Sequence, residues 1–267
     1  MAQSEPGRIR IGVGGWTFDP WRKTFYPEGL PHARELDYAS RKLTSIEINS
    51  TYYRGMSPKI FQNWRDETPD DFVFAVKGSR FVTNRKVLAE AGPSMERFFQ
   101  TGVAQLKDKL GPINWQFATT KRFEPTDFGA FLDLLPRSVD GVALRHAVEV
   151  RHDSFQTQEF VELARSHGVA VVIAGDSEFP LIADVTTPFV YARIMGTREE
   201  EDRGYPEEKL ELWAKRCRAW ARGGAPSDLA GFQPATNAKG RDVFLYVISG
   251  FKPRNPLAAS ALIEKVA

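Results

Sequence analysis

Cysteine occurs once in these 267 residues, at Cys217, which excludes an internal disulfide and any multi-cysteine zinc or iron–sulfur centre within one chain. Histidine is nearly as scarce. The 4 present, His32, His146, His152 and His167, are scattered, and only His152 falls where a site is expected, so no multi-imidazole metal centre is expected. No charge of one sign dominates, since 36 Lys and Arg stand against 34 Asp and Glu, and so no basic face announces a nucleic-acid ligand. Long apolar runs are missing too. Val169 to Gly175 is the most continuous, far short of the ~20 residues that cross a bilayer, and the opening MAQSEPGRIRIGV lacks a signal-peptide core. With no Gly/Ser or Pro-rich linker either, the expectation is a cytoplasmic protein without a membrane partner, a loose tail over residues 1–8 and a single domain over 9–267. Neither cofactor nor metal is expected.

What is present is a regular alternation. Short β-type runs at Ile9–Val13, Ser45–Ile48, Phe72–Val76, Ile113–Phe117, Ala147–Val150, Ala170–Ile173, Phe189–Ile194 and Val243–Ile248 are mostly followed by helical spacing. Helices are expected over Pro58–Arg65, Ser94–Leu110, Thr157–His167, Pro206–Arg222 and from Asn255 to Lys265, with Ser57-Pro58 as N-cap and first turn, and Gly168 and Gly223 as stops. Strands alternating with helices imply a parallel sheet covered by helices, and eight such units fit a (β/α)8 TIM barrel. An open doubly wound sheet fits less well. The first strand runs into Gly14-Gly15-Trp16 and a Pro/aromatic loop, not a Gly-rich turn opening a helix.

Barrel strands place alternate side chains under the helices and toward the axis. The apolar set goes outward, so parity sends Glu47 and Asn49 inward beside Ile46 and Ile48, Lys77 beyond Val76, and Glu149 and Arg151 beside Val148 and Val150. In the same way Asp176 continues the row of Ala170, Val172 and Ala174, while Tyr191, Arg193 and Met195 alternate with Ala192 and Ile194, and Gln116 opposes Trp115. All lie late in their strands, at the carboxyl end where this fold gathers its sites. Unpaired buried charge costs several kcal/mol per ion, so these groups must meet one another, a ligand or water. A purely internal salt-bridge network is the plain alternative to a site.

At these residues the chain resembles a known family. GVGGW (12–16), FYPEGLP (25–31), IEINSTYYR (46–54), FAVKGSR (74–80), GPINWQF (111–117), VEVRHDSF (148–155) and YARIMG (191–196) are similar, in order, to the motifs of the YecE-like family, domain of unknown function 72. The resemblance runs from about residue 9 to 260 and implies a TIM barrel and a site, but no settled reaction. Trp16, Trp21, Glu47, Asn49, Ser50, Tyr53, Lys77, Gln116, Glu149, Arg151 and Arg193 match family positions. Met195-Gly196 stands where many members have His-Gly, and Val247-Ile248-Ser249 where they have a Phe-Asn-Asn-like end, which weakens any mechanism built on those groups.

The resulting expectation is an enzyme doing metal-independent acid–base chemistry on a small anionic, sugar-like or phosphorylated ligand. Glu47, Glu149 and Asp176 are the candidate catalytic carboxylates. Asn49, Tyr53, Lys77, Gln116, Arg151, His152, Arg193 and Trp16 are the candidate ligand-binding groups. Lys77 suits either a Schiff-base nucleophile or an anion grip, and neighbouring carboxylates are expected to hold its pKa up, favouring the grip. After the last strand, SGFKPRNP places Gly250, Lys252 and Arg254 before a helix, a corner where such barrels often hold phosphate, with Asn255 as the alternative N-cap of an ordinary turn. Cys217 falls at helical spacing with Leu210, Trp213 and Trp220 and is expected to be a packed core thiol. Aromatic loops after strands one and two suit stacking on a sugar or base, or simply plug the barrel top. Two alternatives stand beside the enzyme: a nucleic-acid binding or repair protein, suggested by the family's likeness to endonuclease-IV-like barrels, and a non-catalytic ligand-binding barrel.

Overall fold

The computed structural model describes residues 5–232 and 240–267. Its main sheet has nine strands in the order β8-β7-β4-β3-β2-β1-β11-β10-β9. These are β1 (Ile9–Gly14), β2 (Ser45–Ile48), β3 (Val73–Lys77), β4 (Leu110–Gln116), β7 (His146–Glu149), β8 (Ala170–Val171), β9 (Ile173–Gly175), β10 (Phe189–Ile194) and β11 (Asp242–Val247), all paired in parallel. A separate small hairpin joins β5 (Ser138–Val139) to β6 (Val142–Ala143). The expected sixth strand is thus β8 and β9, one stretch interrupted at Val172. Its first half pairs with β7 and its second with β10, so residues 170–175 close the sheet into a barrel. Val172 N still donates to Val148 O at 2.9 Å across the break.

Parity builds two cores. Ile11, Val13, Ile46, Ile48, Phe74, Val76, Trp115, Val148 and Ile194 pack outward beneath the helices. Val73, Ala75, Ala147, Ala170, Val172, Phe189, Tyr191, Phe244 and Tyr246 fill the barrel itself. At the amino end of the strands Arg145 stacks over Phe244 at 4.9 Å and closes the floor. Small side chains on β3, β7 and β8 pack in one cluster with the aromatics of β10 and β11.

The covering helices are α1 (Glu35–Lys42), α2 (Ser50–Tyr53), α3 (Pro58–Glu67), α4 (Arg80–Thr83), α5 (Gly92–Gln100), α6 (Pro125–Asp133), α7 (Gln158–Ser166), α8 (Glu207–Ala221) and α9 (Asn255–Val266). Local chemistry sets several ends. Thr157 accepts from Phe160 N at the start of α7, Gly168 (φ 66°) follows its end, and Glu207 and Glu208 occupy the positive first turn of α8. The expected single helix over 94–110 is two pieces. Gly102 turns left-handed (φ 90°), and a Cβ there would lie 2.7 Å from Pro58, so α5 ends at Gln100 and 3-10 turns take over from Val103. Helix α6 was not anticipated; it is capped by Glu124, whose side chain accepts from Thr126 N and Asp127 N, an unusual residue in that role. The expected loose tail is tied where it is described, Gly7 N donating to Ala221 O and Arg8 N to the Asp242 carboxylate.

Candidate ligand site at the barrel mouth

Strand register assembles the site. Lys77 lies beside Asn114, Gln116 beside Glu149, and Glu47 beside Ala75, so the polar ends of β2, β3, β4 and β7 share one level with Arg193 of β10. Arg193 is the hub. Its Nη1 donates to Glu149 Oε2 at 2.5 Å and its Nη2 to Glu47 Oε1 at 3.0 Å. Arg151 grips the other oxygen of Glu149 through Nε (2.9 Å) and Nη2 (2.7 Å), and its Nη2 also donates to Gln116 Oε1 at 3.0 Å. The Tyr191 hydroxyl donates to Glu47 Oε2 at 2.5 Å, and the Asn114 amide donates to Glu149 Oε2 at 3.1 Å.

Two carboxylates therefore meet two guanidiniums in a sealed layer in which Glu47 and Glu149 are 0% exposed and Arg193 2%. Burial alone would raise the Glu149 pKa, but Arg193, Arg151 and Lys77 outweigh it and hold the carboxyl at about 2. Burial works against the Arg193 charge as well, yet Glu149 and Glu47 raise its pKa above the ordinary guanidinium value. Tyr191 is pushed well above its usual range by burial and by Glu47, which keeps it a donor. Asn114 was missed in the sequence, although it sits two residues before Gln116 and so shares its parity.

Above this layer opens a cavity of about 590 Å³. Four cationic side chains, Lys77, Arg151, Arg193 and Lys252, line it, and among the described residues no Asp or Glu does. Asn49, Ser50 and Gln116 supply polar groups, Trp16 and Phe179 apolar walls, and Tyr53 the rim. Met195, Ile248 and Ser249 also face this space. Two buried polar atoms of lining residues, Arg193 Nε and Asn49 Oδ1, lack any hydrogen-bond partner. Lys77 is 7% exposed and its ammonium lies 4.4 Å over the Tyr52 ring, with no hydrogen bond or ion pair among the described residues. Its pKa is pushed down to about 8, chiefly by burial and then by Arg193, against the pull of Glu47 and Glu149. This reverses the expected upward shift: both carboxylates are already neutralised by Arg193 and Arg151, and Asp176 is elsewhere.

Asp176 does not enter the mouth. Its backbone is left-handed (φ 51°), which swings the side chain toward α8, where Oδ2 accepts from Trp213 Nε1 at 2.7 Å and Lys209 Nζ lies 3.8 Å from Oδ1. His152 also stays out, because its Nδ1 accepts from Ser154 N at 3.1 Å and caps the short turn that follows. The expected phosphate corner does not assemble. Lys252 reaches the mouth with its ammonium 4.1 Å over Phe18, Arg254 turns to Asp202 (3.6 Å), and the left-handed Gly250 bridges to Thr197. Asn255 is no N-cap; its buried Oδ1 accepts from Thr197 Oγ1 at 2.7 Å. Of the other groups weighed, Cys217 is a core thiol raised to about 12 by burial. His146 accepts from Trp115 Nε1 and is pushed down to about 4 by burial. His32 pairs with Glu35 and His167 with Asp133. Among the described residues no three His, Cys, Asp or Glu side chains come together as metal ligands would.

A larger cavity of about 720 Å³ lies on the other side of α2, with Thr51 facing it while Ser50 and Tyr53 face the mouth. Arg54, Arg80, Arg85 and Arg97 line it, again with no carboxylate among the described residues, and Phe81 at its edge is 62% exposed.

Fold and site together define a parallel (β/α) barrel with a neutralised charge layer beneath a cationic mouth. The chain belongs to the family of unknown function DUF72, whose model matches residues 10–267. It is 29% identical over 150 residues to the UPF0759 protein YecE of Escherichia coli K12, which covers 55% of this chain and 50% of that protein; the chain thus spans about half the length of the curated relatives it matches. Among solved structures, a DUF72 family protein of Thermotoga maritima MSB8 superposes with a TM-score of 0.72 at 23% identity, covering 97% of this chain and 98% of the other. Another, from Enterococcus faecalis V583, gives 0.67 at 13% identity, covering 97% of each. At these identities the likeness is one of fold. No helix among the described residues is long and apolar enough to cross a membrane.

Proposed function

We propose that the mouth holds a small hydroxylated anion, sugar-like or phosphorylated, and that the protein carries out metal-independent proton transfer on it. One observation carries this reading: among the described residues four cations and no carboxylate line the cavity, while the two carboxylates beneath are already saturated. An anionic oxygen fits the cationic wall that Lys77 and the Arg151 guanidinium give the cavity. The Asn49 carboxamide lines the same space and suits a ligand hydroxyl. The cavity, about 590 Å³, is of small-molecule size, and Trp16 and Phe179 offer apolar faces to a ring.

In this reading Glu47 and Glu149 are positioning residues. They fix Arg193 and Arg151, and a carboxyl held at about 2 beneath the cavity is a poor proton carrier near neutral pH. Lys77 takes the acid–base role in their place, since an amine near 8 exchanges protons readily at that pH. Thermal-shift screening with phosphorylated sugars and their unphosphorylated counterparts tests the proposal. Stabilisation by the phosphorylated set alone, reduced by Arg151→Gln, is expected; equal response to both sets removes it.

A nucleic-acid partner is a second reading, and the arginine cavity favours it, because guanidiniums beside an exposed phenylalanine suit phosphates and a stacked base. It requires oligonucleotide affinity that falls steeply with salt and weakens in Arg97→Ala; absence of binding at low salt excludes it.

A further inference from the structure

Two lysines of this barrel are buried to the same degree, and only one has a structural reason to be. Lys109 and Lys77 are each 7% exposed. The Lys109 ammonium donates to Arg65 O at 2.7 Å, Thr68 O at 2.7 Å and Thr68 Oγ1 at 3.3 Å, a full set of acceptors that ties the end of α3 to the strand below. Lys77 has none of these. Its backbone is fixed instead: its carbonyl accepts from Thr51 Oγ1 at 2.6 Å, and the next residue, Gly78, sits so close to the Trp115 ring that a Cβ would fall 2.2 Å from it. A rigid strand end thus presents to the cavity an amine that has the Tyr52 ring at 4.4 Å but no hydrogen-bond acceptor or ion pair among the described residues, and the other cations there are Arg151, Arg193 and Lys252.

We infer that Lys77 is a covalent site, its amine forming an imine with the carbonyl carbon of an anionic aldehyde or ketone whose charged group rests on the neighbouring guanidiniums. This rests on the anion-binding reading of the mouth. The nitrogen lone pair of the neutral amine attacks the carbonyl carbon, and the C=O π pair moves to oxygen to give a carbinolamine. The two nitrogen-bound protons then leave with that oxygen as water, and a C=N bond replaces C=O. No oxidant or reductant is consumed. The amine is neutral often enough for this, because burial and Arg193 hold its pKa near 8 in spite of Glu47 and Glu149, with Arg151 adding to the depression. The resulting imine, once protonated, draws electrons from the adjacent carbon, so with a carbonyl ligand the Lys77 nitrogen serves as an electron sink in place of its proton-carrying role.

Pyridoxal 5′-phosphate, an anionic aldehyde, serves as the probe. The intact protein is incubated with it at pH 7.5, reduced with borohydride, digested and mapped by mass spectrometry. Lys77 is expected to be modified on the order of a hundredfold faster than exposed lysines, from the ratio of neutral amine fractions at pKa values near 8 and 10.5. The Lys77 adduct should be absent in Lys77→Met, slowed by excess inorganic phosphate and slowed in Arg151→Gln. Modification confined to exposed lysines overturns the inference. The two readings separate cleanly. If pyridoxal lacking the phosphate labels Lys77 as fast as the phosphate ester does, the imine site stands and the anion reading falls. If phosphate and phosphorylated sugars still stabilise the protein but Lys77 is never labelled, the reverse holds.

Discussion

The mouth and the arginine cavity beside it are both lined by cations, with no carboxylate among the described residues, yet they are built in opposite ways. In the mouth Lys77, Arg151 and Arg193 stand at strand ends, and the two guanidiniums are backed by Glu47 and Glu149, each held by at least two hydrogen bonds. In the other cavity the guanidiniums come from loops and from α4 and α5. There Arg85 reaches Phe81 O (3.2 Å) and Ser94 Oγ (2.8 Å), and Arg97 reaches Pro93 O (3.2 Å). Water can compensate the exposed set, whereas a sealed one must be compensated by protein. The mouth is thereby preorganised and the neighbouring cavity adaptable.

The largest effect expected from this contrast is on stability. Arg193→Met leaves two buried carboxylates with too few partners and should cost about 3–5 kcal/mol, while Arg97→Met should stay within ~0.5 kcal/mol. Guanidinium chloride unfolding of both variants measures the gap, and similar losses would break the distinction.

Acid should strike the mouth next. The Glu149 pKa is depressed to about 2 from 4.5, so its contribution is fully present above 4.5 and is lost as pH falls toward 2. The loss is roughly 3 kcal/mol over that window. Unfolding free energies at pH 6 and pH 3 should differ more in the wild type than in Glu149→Gln; parallel curves would place the acid sensitivity elsewhere.

A smaller effect carries the opposite sign. The Lys77 amine has its folded pKa lowered to about 8 from 10.5, so the stability it allows above 10.5 is lost as pH falls through 8, and at neutral pH its charge is a burden. Lys77→Met should therefore raise stability at pH 7 by roughly 1–3 kcal/mol, and by less at pH 10. Thermal denaturation at the two pH values checks this, and a destabilised variant would show that the amine has a structural partner.

The barrel and most of its mouth were legible because strands have period two. Isoleucine and valine on one parity force Glu47, Lys77, Glu149 and Arg193 onto the other, and parallel register brings them level. What stayed hidden depends on single backbone angles or on pairing. Nothing local in Gly175-Asp176 announces the left-handed turn that sends Asp176 to Trp213. Three well-spaced residues, Gly250, Lys252 and Arg254, diverge because Thr197, Phe18 and Asp202, all far off in sequence, claim them. The direction of the Lys77 shift turned first on how deeply the amine is buried and then on the nearness of Arg193, which together outweigh both carboxylates. That is a question of distances, and spacing alone does not answer it.

The central claim is that the saturated carboxylates leave the mouth free to take an anion. Calorimetric titration with ribose 5-phosphate tests it most directly, on the wild type, Arg151→Gln and Arg97→Gln. The account predicts binding to the wild type, a loss of about 1.5–3 kcal/mol in Arg151→Gln for a charge-assisted hydrogen bond, and no change in Arg97→Gln. Binding that survives Arg151→Gln and weakens in Arg97→Gln would contradict it and move the anion site to the other side of α2.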